Sequence, residues 1–108
     1  MYSFIETPMF TRIVGEYLSD EDYAKLQSEL IRNPKAGAVI KGSGGVRKIR
    51  WASKGRGKRG GYRVVYFLRS SQGVFWMLTM YPKNVVDSIP GHVLKKIREE
   101  ITCGRAKG

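Results

Sequence analysis

An α+β fold is predicted, with elements in the order β-α-α-β-β-β-α and a twisted, mostly antiparallel sheet carrying its helices on one face. Three observations predict it. Residues 62–68 and 74–81 are rich in β-branched and aromatic side chains, and Ser70-Ser71-Gln72-Gly73 lies between them as a hairpin turn. Ser19-Asp20-Glu21-Asp22 opens a stripe of apolar residues at helical spacing. A second such stripe follows Pro90-Gly91.

Taken in order, Tyr2, Phe4 and Glu6 alternate as a short first strand, and Pro8 blocks its continuation. Phe10, Ile13, Val14, Tyr17 and Leu18 then recur at helical spacing, with Gly15 limiting that helix to a short one. Ser19 can cap the next helix, Asp22 occupies the capping-box position, and the acids suit the helix dipole. Tyr23, Leu26, Leu30 and Ile31 give it one apolar face, and Asn33-Pro34 ends it. Residues 35–45, with Gly37, Gly42, Gly44 and Gly45, read as a loop. Residues 46–52 read as a strand with Val46, Lys48 and Arg50 on one face and Arg47, Ile49 and Trp51 on the other. The stretch 53–61, Ser-Lys-Gly-Arg-Gly-Lys-Arg-Gly-Gly, has nothing to bury and reads as a mobile loop.

The last three strands form an antiparallel meander, and the first joins at an edge or by parallel pairing. The nearly continuous apolar run at 74–81 marks a central strand covered on both sides, and Pro82 ends it. Val93, Leu94, Ile97 and Ile101 form the buried stripe of the final helix. Residues 1–108 are expected to be a single domain with a frayed tail over 104–108.

Charge is segregated along the chain. No acidic residue occurs between Leu30 and Val86, whereas that stretch carries Arg32, Lys35, Lys41, Arg47, Lys48, Arg50, Lys54, Arg56, Lys58, Arg59, Arg63, Arg69 and Lys83. The net charge is +11, and such self-repulsion points to a polyanionic partner, with RNA the favoured one. With 42% hydrophobic residues the chain is globular rather than a disordered basic tail. No apolar run reaches the ~20 residues of a spanning helix, and the first residues read as a strand rather than a signal peptide, so no membrane partner is expected.

A lone Cys103 fits a reducing cytoplasm and reads as an unreactive helix-end residue. One cysteine and one histidine, His92, cannot build a zinc site, and no metal or other cofactor is expected. Paired carboxylates, a Ser-His-Asp set and a phosphate-binding glycine fingerprint are absent from the basic half.

What remains is cations on strands, interleaved with aromatics. An arginine in mid-strand, as Arg63 is, costs much to desolvate unless it meets solvent or an anion. Beside Lys48 and Arg50 it would form a phosphate clamp; paired with Glu29 or Glu99 it would be structural. Lys54, Arg56, Lys58 and Arg59 suit phosphate contact without specificity. Tyr81 either stacks on a base or caps the core, and Lys83 can meet a phosphate. Trp51 and Trp76 read as core residues, and His92 as a surface residue.

Several strings together resemble the RelE/ParE superfamily of toxins. Gly44-Gly45-Val46-Arg47-Lys48-Ile49-Arg50 followed by Gly60-Gly61-Tyr62-Arg63-Val64-Val65-Tyr66-Phe67 is similar to its core signature. Tyr17-Leu18-Ser19-Asp20-Glu21-Asp22-Tyr23, Asn33-Pro34-Lys35, the basic-glycine stretch 52–61 and Leu78-Thr79-Met80-Tyr81-Pro82-Lys83-Asn84 resemble the HigB-like branch. The likeness spans roughly residues 2–100, and its most specific part is the basic-glycine loop joined to the Gly-Gly-Tyr-Arg strand.

The resemblance implies a microbial ribonuclease-like fold and the toxin of a type II toxin–antitoxin module. It implies a metal-independent endoribonuclease that enters the ribosomal A site, cleaves translated mRNA and inhibits translation. A cognate protein antitoxin would be its partner, with promoter DNA met only through the toxin–antitoxin complex. Carried onto this chain, the family's catalytic basic pair falls on Lys48 and Arg50, its transition-state arginine on Arg63, and its basic position after the last strand on Lys83. Asn84 stands where many members have arginine. Lys54, Arg56, Lys58, Arg59, Tyr81 and Asn84 would contact RNA or the ribosome. The family's aromatic or histidine near the C-terminus has no match in the final helix. The alternatives are a gyrase-inhibiting ParE-like toxin and a non-catalytic nucleic-acid-binding protein.

Overall fold

The computed structural model describes residues 1–52, 61–83 and 89–102. The expectations for Lys54, Arg56, Lys58, Arg59 and Asn84, for Cys103 and for the tail 104–108 lie outside the described residues. The elements are β1 (Ser3–Glu6), α1 (Pro8–Tyr17), α2 (Asp20–Arg32), β2 (Ala38–Val39), β3 (Arg47–Trp51), β4 (Tyr62–Arg69), β5 (Val74–Pro82) and α3 (Gly91–Thr102). The sheet order is β1-β5-β4-β3-β2. β1 pairs parallel with β5 at one edge, and the other neighbours are antiparallel.

Local chemistry explains the helices. Thr7 caps α1, accepting from Phe10 N at 3.1 Å, and Pro8 takes the first helical position, where a missing N–H costs nothing. Ser19 caps α2 by accepting from Asp22 N at 3.1 Å, with three acids in the first turn. Asn33 stands at its C-cap, as the Asn-Pro pair predicts.

β2 lies where a loop was expected. Two exposed residues carry no readable periodicity, yet Ala38 pairs with Lys48 and Val39 with Arg47. The turn that follows is tied by Ser43, fully buried, whose Oγ donates to Ile40 O at 2.6 Å and accepts from Val46 N at 3.0 Å.

The expected placement of all helices on one face is corrected by the structure. Phe10, Leu18, Leu26 and Leu30 pack with Tyr62, Val64, Tyr66, Phe75, Met77 and Met80, which places α1 and α2 on one side of the sheet. On the other side Leu94, Ile97 and Ile101 of α3 pack with Val46, Val65, Phe67, Leu78 and Tyr81. The reason lies in β4 and β5. The interior of β4, Val64 to Phe67, and nearly all of β5 are apolar on both sides, so both faces need cover. Val93, expected in the buried stripe, is instead 38% exposed. Trp51 and Trp76 are partly buried, one against each cluster.

α3 approaches the β2–β3 turn so closely that a Cβ on Gly91 would lie 2.1 Å from Lys41 O. Gly91→Ala must push the helix outward, and is expected to cost about 1–3 kcal/mol of stability. Urea denaturation measures it, and an unchanged midpoint would contradict the close approach.

Candidate active site

Strand register assembles the cations. Arg63, the second residue of β4, has Arg50 of β3 as its partner on one side and Tyr81 of β5 on the other. Lys48 lies between Ala38 of β2 and Val65 of β4. Directly paired residues of antiparallel strands project to the same face. Val65 and Tyr81 belong to the α3-side cluster, so Lys48, Arg50 and Arg63 share that face. Past β5, the N–H of Lys83 bonds Gly61 O at 3.5 Å. Gly61 itself has φ +61°, and a Cβ there would meet Trp51 O at 2.5 Å, so the chain enters β4 hard against β3.

The result is a cleft of about 370 Å³ lined by Ala38, Lys48, Arg50, Arg63 and Lys83. Arg50 and Lys83 are exposed, and Lys48 and Arg63 are half-buried. Two guanidinium groups directly opposite each other across a strand pair destabilise the fold. The cost is offset when an anion binds between them, because planar guanidinium donors match phosphate oxygens. Glu29, one possible partner for Arg63, is paired with Arg32 on α2, across the sheet from the cleft.

Tyr81 is 6% exposed and packed in the α3-side cluster, which leaves its ring no face for a base. The stacking expectation is thereby corrected to a supporting role: Tyr81 caps the core beside Arg63. Burial raises its phenol pKa, and the Arg63 charge acts in the opposite direction.

The wall at Ala38 is held from the opposite face. Tyr66, fully buried, accepts from Gly37 N at 2.9 Å and donates to Pro34 O at 3.0 Å. Arg47 Nη1 donates to Gly37 O at 2.6 Å. These bonds fasten the turn after α2 to the sheet, so that Ala38 enters beside Lys48. Tyr66→Phe leaves Gly37 N without its acceptor and is expected to cost about 1–3 kcal/mol. Chemical denaturation checks it; a cost near zero would deny the anchor.

Burial also raises the pKa of Tyr23, whose hydroxyl donates to Glu6 at 2.7 Å, and that of Tyr66. A phenol whose folded pKa is raised contributes stability below its unfolded pKa of about 10 and loses it as pH climbs higher. Stability should therefore fall above pH ~10, and Tyr23→Phe should flatten that fall. An equally steep decline in the variant would contradict the bond to Glu6.

Of the residues singled out in the sequence, Lys48, Arg50, Arg63 and Lys83 come together in one cleft. His92 is exposed on α3 and does not line it. Ala38 and its supports Tyr66 and Arg47 were missed. A two-residue strand leaves no periodic trace, and one buried tyrosine among the apolar residues of β4 resembles ordinary core.

No protein-family model matches the chain. The fold is similar to the crystal structure of the intact E. coli RelBE toxin–antitoxin complex, with TM-score 0.57 and 20% identity over 74% of this chain and 94% of that one. It is also similar to the structure of a mutant of the E. coli toxin RelE in the free state, with TM-score 0.55 and 18% identity over 90% of this chain and 96% of that one. The fold is RelE-like.

Proposed function

We propose that this chain is a RelE-superfamily toxin of the HigB-like branch, belonging to a type II toxin–antitoxin module. It acts in the cytoplasm as a metal-independent endoribonuclease on translated mRNA in the ribosomal A site, and a cognate antitoxin restrains it. The observation that carries this reading is the cleft in which Lys48, Arg50, Arg63 and Lys83 converge on a rigid sheet. The RelE-like fold supports it.

The chemistry follows from the donor set. The RNA 2′-hydroxyl loses its proton and its oxygen attacks the adjacent phosphorus. The bond from phosphorus to the 5′-oxygen breaks, and that oxygen leaves with a proton. The products are a 2′,3′-cyclic phosphate and a 5′-hydroxyl. The pentavalent intermediate carries extra negative charge, which fixed cations stabilise more than they stabilise the ground state. Arg63, central in the sheet, takes that role. Arg50 opposite it orients the phosphate, Lys48 serves as base or electrostatic support, and Lys83 adds a contact at the rim. The ribosome and the cleft align the 2′-hydroxyl for in-line attack.

Primer extension on messages from cells expressing the protein tests this reading. Cuts within translated regions support it. An intact message pool accompanied by DNA damage would favour gyrase inhibition.

A further inference from the structure

A second polar cavity lies where the β4–β5 turn meets α3. It is a shallow depression of about 350 Å³, open to solvent and lined by Phe67, Leu68, Arg69, Ser70, Ser71 and Arg98. Two guanidinium groups and two hydroxyls thus border one space, a donor set suited to the oxygens of a phosphate. Arg98 is held in place. Its guanidinium carbon lies 4.9 Å from the centre of the Phe67 ring, and a Cβ on Gly44 would sit 3.4 Å from its Cδ. The Phe67 ring and the Gly44 backbone both crowd the side chain, which lowers the entropy lost on gripping an anion.

The cavity shares a face with the cleft. Along β4, Arg63, Val65, Phe67 and Arg69 alternate onto the side that α3 covers. Six residues of strand separate Arg63 from Arg69, roughly 20 Å. One phosphodiester cannot span that distance, whereas a single RNA strand can.

We infer that this cavity is a second phosphate subsite, in which Arg69, Arg98, Ser70 and Ser71 hold the backbone of the RNA strand whose scissile phosphate occupies the cleft. The inference rests on the reading of the cleft given above. Because α3 covers Val65 and Phe67 between the two sites, the strand runs past α3 rather than over the sheet, and the subsite fixes its direction so that binding energy away from the reacting bond aligns it.

Fluorescence anisotropy with 2′-O-methylated oligouridylates, which resist cleavage, tests the subsite. The probes are a trinucleotide, which reaches one site only, and an oligomer of about 15 nucleotides, which reaches both. Arg69→Gln and the double variant Ser70→Ala/Ser71→Ala should each weaken the long oligomer about fivefold to tenfold; only Arg69→Gln, which removes a charge, should also reduce its salt dependence, by about 0.7 in log–log slope. Their trinucleotide affinity should stay at the wild-type value. Long-oligomer affinity equal to wild type in both variants, with the slope of Arg69→Gln unchanged, would overturn the subsite. So would an effect confined to stabilisation by inorganic phosphate, which would assign the cavity to a free anion. Arg98→Gln is a further variant, with its melting temperature measured alongside, because it also loses packing on Phe67. Failure of the cleft itself gives a different signature: the trinucleotide binds Arg63→Ala as well as wild type, while Arg69→Gln still weakens the long oligomer.

Discussion

Arg63→Ala is expected to relieve growth arrest in cells expressing the protein and to slow message cleavage about 10²- to 10³-fold, with the fold intact. Arg63 lies near the start of the central strand, between Arg50 and Tyr81 in register, and two neighbouring strands fix its backbone. A donor borne on so fixed a backbone needs little reorganisation as charge builds on phosphorus, which is why its loss should be felt in the rate. The fold should stay intact, because Arg63 is half-buried at the cleft and belongs to neither apolar cluster. Arg63→Lys keeps the charge and loses the two-pronged guanidinium, so its activity should lie between the two. Arg12→Ala, at an exposed position of α1, should leave arrest untouched. Quantitative primer extension, with thermal melting in parallel, reads all three. Full activity of a folded Arg63→Ala would contradict the role given to this residue.

Phe75→Ala is expected to cost about 3–5 kcal/mol, the largest stability loss among the substitutions considered. Phe75 is fully buried in β5 and pairs in register with Phe4 of the parallel edge strand, their rings stacked with centroids 4.8 Å apart and an interplanar angle of 9°. It also contacts Tyr66 at 5.9 Å between centroids and Tyr2 at 5.2 Å. Truncation would open a cavity and strip three aromatic neighbours of their contacts at once. Against a typical total of 5–15 kcal/mol, roughly, that loss consumes much of the folding free energy. Phe75→Leu should cost less, since most of the volume remains. Equilibrium urea unfolding gives both values, and a loss below about 1 kcal/mol for alanine would contradict the packing described.

Much of this architecture was legible in the chain. The α2 start was readable because Ser19 and the acids after it satisfy exposed N–H groups locally, whatever the rest of the chain does. The β4–β5 hairpin was readable because its strands are intrinsically β-forming and its turn is short. The alternation of side chains in β3 put Lys48 and Arg50 on one face, where the structure has them.

The missed features depend on distant contacts. β2 exists because Ala38 and Val39 meet β3, and no local signal announces it. The side on which α3 docks follows from competition between two apolar faces of one sheet, and helical spacing alone cannot express that. Tyr81 looked available at a strand end because its burial depends on α3 arriving above it.

Titration of a non-cleavable RNA trinucleotide into isotope-labelled protein, followed by side-chain and backbone NMR, reads the cleft residue by residue. Shifts should converge on Lys48, Arg50, Arg63 and Lys83 and on the backbone of Ala38, and should vanish in Arg63→Ala. Shifts centred on the depression between α2 and Trp51, around Glu21 and Lys25, with the four cations silent, would contradict the cleft.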